Sequence, residues 1–263
     1  MTSDDGKATF WEHLDILRGA IVRTIALWSV FSIIAFVFKE QLFDFVLAPK
    51  SPDFVAYGVI NGLCARFGVE TLSDFHVELI NTGLAQQFLI HLKTALCAGV
   101  VVVAPFALYQ IFSFVSPALY SRERRYFKRV IVSSYLMFVI GVALSYYVIF
   151  PLTFRFLGTY QVAADVVNLI SLESYMSTLI MMSLCMGILF ELPVLAWLLA
   201  KMGFVSASLM SRYRKHAIVV ILIVAAVITP TSDIFTLMLV SVPIWLLYEI
   251  SALMVRRVQT NQQ

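Results

Sequence analysis

Residues 130–154 read VIVSSYLMFVIGVALSYYVIFPLTF, a run without a single charged side chain. At about 1.5 Å per residue it makes a helix of about 37 Å, longer than the roughly 30 Å hydrocarbon core of a bilayer. Extended chain in hydrocarbon would leave its peptide groups unpaired, so a segment of this kind is helical. Lys128 and Arg129 precede the run and Arg155 follows it. Working outward from this run, spans are predicted at about 21–40, 88–115, 129–154, 174–200, 215–229 and 234–255. They belong to one membrane domain, 1–263, with a long loop at about 41–85. Composition agrees: 60% of residues are hydrophobic, 13% charged, and the mean hydropathy is +0.88. Soluble domains carry about a quarter charged residues, which excludes an ordinary globular chain. The predicted fold class is all-α and polytopic, with six transmembrane helices.

Charge sets the predicted orientation. Fourteen of the 19 basic residues fall before the first span, between the second and third, between the fourth and fifth, and after the sixth. The other side holds Lys39, Lys50, Arg66, Lys93 and Arg155 among many carboxylates, including Glu40, Asp44, Asp53, Glu173 and Asp233. Basic residues in short loops stay in the cytoplasm, so both termini are expected there. The net charge of +3 is a topology signal and gives no reason to expect nucleic acid. The acidic start, Asp4-Asp5, reads as a cytoplasmic tail and not a cleaved signal. Cys64, Cys97 and Cys185 form no pairing or metal framework.

The loop at 41–85 mixes prolines and glycines with short apolar runs, and short helices are expected in it. No internal repeat is visible. Apolar residues in the fifth span run only over 217–228, about 18 Å of helix, before Thr229-Pro230-Thr231-Ser232-Asp233 turns the chain. Such a mismatch thins the bilayer locally. Pro105, Pro117, Pro151, Pro193 and Pro243 each remove a backbone donor, and together their kinks would curve the bundle into a concave wall.

Glu191 is the outlier. It lies about 15 Å from the Lys201 end of its span, close to mid-bilayer, where an acid costs about 2.5 to 3.5 kcal/mol. It is expected to face the bundle or a wet cavity, either as a functional group or bonded to a carbonyl freed near Pro193. Glu249 sits shallower, with Arg256 and Arg257 within two turns, and either snorkels or pairs. Between the second and third spans, Glu123 is embedded among Arg122, Arg124 and Arg125. No phosphate loop, HExxH or Ser/His/Asp set is present, so neither catalytic residues nor a metal or other cofactor is expected. One reading open at this level is a proton-coupled small-solute transporter using Glu191 and Glu249.

Six motifs in order carry a resemblance: His13-Leu14-Asp15-Ile16-Leu17-Arg18, Pro49, Phe114-Val115-Ser116-Pro117-Ala118-Leu119-Tyr120-Ser121-Arg122-Glu123-Arg124-Arg125, Phe190-Glu191-Leu192-Pro193, Thr229-Pro230-Thr231-Ser232-Asp233 and Leu247-Tyr248-Glu249-Ile250. In these the chain resembles the TatC family, the polytopic receptor subunit of the twin-arginine protein translocase. The resemblance implies a glove-shaped bundle with two short final helices in the bacterial inner membrane. It also implies capture of Arg-Arg signal peptides on the cytoplasmic face, and export of folded proteins with single-span TatA and TatB partners in a multi-copy complex driven by the proton-motive force. Glu123 matches the carboxylate that grips the signal's arginines, and Phe114 and Arg18 match residues around it. Glu191 matches the intramembrane acid of the concave face, where partner helices are expected. Pro49 and Asp233 match positions on the external side. One departure is clear: where the family has a Glu two residues before Arg18, this chain has Ile16. Glu12, one helical turn before Ile16 and on its face, or else Asp15, is expected to supply the second carboxylate.

Overall fold

The computed structural model describes residues 10–66, 68, 75, 77–115, 127–161, 163, 168–229 and 233–260. They form ten helices, α1 (Phe10–Val37), α2 (Lys39–Leu47), α3 (Val55–Arg66), α4 (Gln86–Val115), α5 (Phe127–Leu144), α6 (Phe150–Thr159), α7 (Leu172–Leu189), α8 (Leu192–Lys201), α9 (Ala207–Ile228) and α10 (Ile234–Thr260). A π-helical turn, Ser145–Ile149, joins α5 to α6, and a 3₁₀ turn, Ala48–Lys50, ends α2. Two strands of two residues each, β1 (Leu79–Ile80) and β2 (Ile170–Ser171), pair in parallel with Leu79 opposite Ile170.

The helical membrane architecture expected from hydropathy is what the chain adopts. Among the described residues, five helical stretches are long and apolar enough to cross a bilayer: Leu14–Val37, Gln86–Phe114, Val130–Thr159, Leu172–Lys201 and Ile234–Thr260. The α9 helix is different, because its first half carries Arg212, Arg214 and Lys215 and only 217–228 is apolar. Helix α1 packs along α4, α5 along α7, and α10 against both α8 and α9.

Glycines permit these close approaches. A Cβ on Gly141 of α5 would stand 2.6 Å from the Met186 carbonyl oxygen of α7, and one on Gly187 of α7 would stand 2.8 Å from the Phe138 ring of α5. Hydrophobic burial gives little drive between helices in lipid, so this small-residue contact carries the packing. The α1–α4 pair combines such a contact, Gly99 against Ser32 and Trp28, with polar bonds. Trp28 Nε1 donates to the Leu96 carbonyl at 2.9 Å, and His91 Nε2 meets the Phe36 carbonyl at 3.0 Å with its ring stacked on Phe36.

One end of the bundle is capped by α2, α3 and the strand pair, built around tyrosines. Pro49 and Pro151 lack N–H groups, and helix ends leave carbonyls without partners. Phenol groups add donors around these positions. Tyr57 donates to the Pro49 and Pro151 carbonyls at 3.1 and 3.0 Å, Tyr175 to Val46 at 3.1 Å, and Tyr146 to Phe45. Their rings interlock with Phe54, Phe75, Phe150 and Phe154, mostly edge to face. The Arg155 guanidinium lies over the Tyr57 and Phe75 rings. Burial pushes the Tyr57 hydroxyl well above the ordinary phenol range, offset in part by Arg155.

Candidate functional site

Phe190 and Glu191 form a break between α7 and α8, where Pro193 enters the first turn of α8 without an N–H to donate. The break turns the Glu191 side chain toward α5, and 7% of the residue is exposed. Its Oε2 accepts a short hydrogen bond from Ser134 Oγ. Among the described residues its Oε1 has no partner although it is buried. The carboxylate's partner is therefore a serine on another helix, where the sequence had offered a carbonyl freed near Pro193.

Glu191 lines a cavity of about 530 Å³ between α1, α4, α5 and the α7–α8 break, whose other walls include Trp28, Val103, Leu108, Phe138 and Leu195. Those walls are almost wholly apolar, so a buried oxygen there has nothing to bond to unless something enters. A second cavity of about 430 Å³ lies between α1 and α4, lined by Leu17, Ala20, Ile21, Gln110 and Phe114. Thr24, Ile25, Ala107 and Ile111 belong to both cavities. One apolar groove thus runs along α1 and α4 from Leu17 and Phe114 to Glu191.

The structure brings Phe114 to the groove end beside Leu17, next to Arg18 in sequence, while Arg18, Asp15 and Ile16 are all exposed on α1. No ion pair joins Asp15 to Arg18 among the described residues. Glu12 lies in the first turn of α1 with its side chain outside the described residues, and Glu123 lies outside them altogether. At the capped end, Pro49 is buried in the 3₁₀ turn under Tyr57. Asp233 caps α10, its Oδ1 accepting from the Thr236 N–H at 2.7 Å.

Glu249 has a different partner from the nearby arginines that the sequence placed within its reach. It pairs across helices with Arg214 of α9, Nη2 to Oε2 at 2.8 Å, beside a Tyr248 hydroxyl that donates to the Met210 carbonyl at 2.7 Å. Glu191 and Glu249 are thus held by α5 and α9 respectively. Sequence reasoning missed Ser134 and Arg214. The doublet Ser133-Ser134, polar inside the uncharged run 130–154, was the available signal for the first; nothing in the spacing marked the second.

Residues 12–243 match the family model described as Sec-independent protein translocase protein (TatC). The chain is 34% identical over 252 residues to the Sec-independent protein translocase protein TatC of Desulforapulum autotrophicum, covering 95% of this chain and 85% of the relative. It is 31% identical to the TatC of Aquifex aeolicus, covering 91% of each. Among solved structures it is similar to a crystal structure of the twin arginine translocase receptor TatC, with a TM-score of 0.74 and 29% identity, over 92% of this chain and 97% of that one. A structure of that receptor in the detergent DDM gives a TM-score of 0.76 at 29% identity, over 93% and 99% of the two chains.

Proposed function

Because this chain belongs to the TatC family of Sec-independent protein translocase proteins, a multi-pass membrane component of a protein translocase, we propose that it is the receptor that captures Arg-Arg signal peptides and docks single-span partners of the TatA and TatB type. The observation that carries this reading is the groove from Phe114 to Glu191, apolar along its length and ending on a buried oxygen without a partner.

Each part has a physical role. A signal's arginine forks are gripped bidentately by carboxylates, with Glu123 as the first and Glu12 or Asp15 as the second in place of the family's Glu at Ile16. An exposed ion pair supplies only about 0.2 to 1 kcal/mol, so the signal's apolar segment must also be buried. The groove beside Arg18 and Phe114 offers that surface. Glu191 then meets a polar group of a partner helix inside the membrane. Pro49 and Asp233 act at the capped end by holding α2 and α10 in place.

In this reading the protein lies in the bacterial inner membrane with six crossings, the sixth supplied by the short apolar part of α9. Both termini and the basic loops are cytoplasmic and the cap is periplasmic. Folded passengers cross with the proton-motive force, in complexes holding several copies.

The test is site-specific crosslinking of an Arg-Arg passenger and of partner helices in membrane vesicles. Glu123→Ala should lower signal crosslinking with the amount of membrane protein unchanged. Glu191→Leu should weaken partner crosslinking while Glu191→Gln retains most of it. Parental crosslinking in both Glu123→Ala and Glu191→Leu would refute the reading, and accumulation of a small solute by the purified chain alone would favour a transporter.

A further inference from the structure

A third cavity, of about 680 Å³, opens on the flank of the bundle between α4, α7, Trp28 of α1 and the end of α9, near the cap, and meets the Glu191 cavity at Trp28 and Val100. Its lining is ordered by depth. Lys93 of α4 and the hydroxyl residues Ser174, Ser177 and Thr178 of α7 stand toward the capped end, and Val100, Met181 and Leu184 line the deep end. Ser174 to Leu184 spans ten residues of helix, about 15 Å, which is half of the roughly 30 Å hydrocarbon core. The groove is therefore one leaflet deep, polar and cationic at the headgroup level and apolar below it.

We propose that this groove holds one phospholipid of the leaflet on the capped side, its phosphate bound by Lys93 and the Ser177 and Thr178 hydroxyls and an acyl chain lying along Met181 and Leu184. Charge complementarity selects this occupant. The Lys93 ammonium is a compact cation in a long ion pair with Glu173, Nζ to Oε1 at 4.0 Å, while Oε2 of that carboxylate accepts from Gln86 at 2.7 Å. Lys93 thus keeps donors for an oxyanion, and a charged donor to phosphate makes a stronger bond than a neutral one. The hydroxyls of Ser177 and Thr178 bond to no protein group among the described residues, which leaves them to the phosphate. A partner helix seated here would need to cover the same ammonium and two hydroxyls with matching acceptors, whereas a phosphodiester carries them in one group. The inference is independent of the signal and partner reading above.

Native mass spectrometry of the full chain, with phosphatidylglycerol or phosphate-free diacylglycerol of the same chains added to detergent, tests the proposal. The parent should retain one phosphatidylglycerol and no diacylglycerol. Lys93→Gln should lower that retention about tenfold, the equivalent of about 1.4 kcal/mol, and Lys50→Gln, at another external lysine, should leave it unchanged. Cys97, in the groove wall, gives a second readout: phosphatidylglycerol should slow its reaction with an apolar maleimide in the parent and not in Lys93→Gln, and inorganic phosphate should not. Equal retention of the two lipids, undiminished retention by Lys93→Gln, or capture of a protein helix and no lipid by a photo-crosslinker at position 97 would each overturn it.

Discussion

Replacing Gly141 by alanine should loosen the α5–α7 contact more than replacing Gly187, its counterpart across the same crossing. A Cβ at 141 stands 2.6 Å from the Met186 carbonyl oxygen and 2.9 Å from Phe190 Cβ, where ordinary contact begins near 3.4 Å. The helices must therefore separate by about 0.8 Å, because the obstacle is backbone. At 187 the new carbon meets the Phe138 ring at 2.8 Å and a Val142 methyl at 2.9 Å, both on side chains that are able to rotate. Overpacking costs about 1 to 3 kcal/mol, and Gly141→Ala belongs at the upper end, Gly187→Ala at the lower. At about 2 to 4 °C per kcal/mol, the first should melt about 6 to 12 °C below the parent and the second about 2 to 4 °C below it. A thiol-reactive dye reports unfolding as a rise in labelling of Cys97 and Cys185, which are free and partly buried. The same separation should stretch the bond between Ser134, two turns before Gly141, and Glu191, one turn after Gly187. Gly141→Ala melting with the parent, or Gly187→Ala melting below Gly141→Ala, would refute the steric reasoning.

Tyr57→Phe leaves the Pro49 and Pro151 carbonyls without their phenol donor, so it should cost about 1 to 3 kcal/mol in the same melting assay. Asp233→Ala should cost about 1 kcal/mol by removing the α10 cap, with Asp233→Asn close to the parent. Cys64 should react in intact cells with a membrane-impermeant thiol reagent added outside, and a cysteine placed at Ser121 should not; the opposite pattern would invert the topology. Export of an Arg-Arg passenger should fall in the Glu12→Gln, Asp15→Asn double variant and recover with Ile16→Glu, whereas full export by the double variant would leave Glu123 and apolar contacts as the whole signal site.

Fold class was legible because burial in lipid needs only length and hydrophobicity, and both are local properties of a run such as 130–154. The short helices α2 and α3 in the loop at 41–85 were likewise readable from its apolar runs. The partners of the polar groups were not. Ser134 and Glu191 are 57 positions apart and Arg214 and Glu249 are 35 apart, so neither pair leaves a periodic trace. For Glu249, the arginines within two turns on its own helix competed with one on a neighbouring helix, and helix packing decided in favour of α9. The parallel β1–β2 pair escaped notice because two residues are too few to show alternation.

In the proposed docking of a partner helix, the lone Glu191 oxygen would also filter by composition. A purely apolar helix, or a lipid tail, lying in the groove leaves that oxygen unbonded, at about 1 to 3 kcal/mol. One glutamine, serine or asparagine at the right turn of an otherwise apolar segment removes the penalty. That difference amounts to a preference of about 5- to 150-fold. Bulk lipid far outnumbers any protein helix in the membrane, so the penalty on that one atom would offset part of the excess and the apolar contacts of the guest would have to supply the rest.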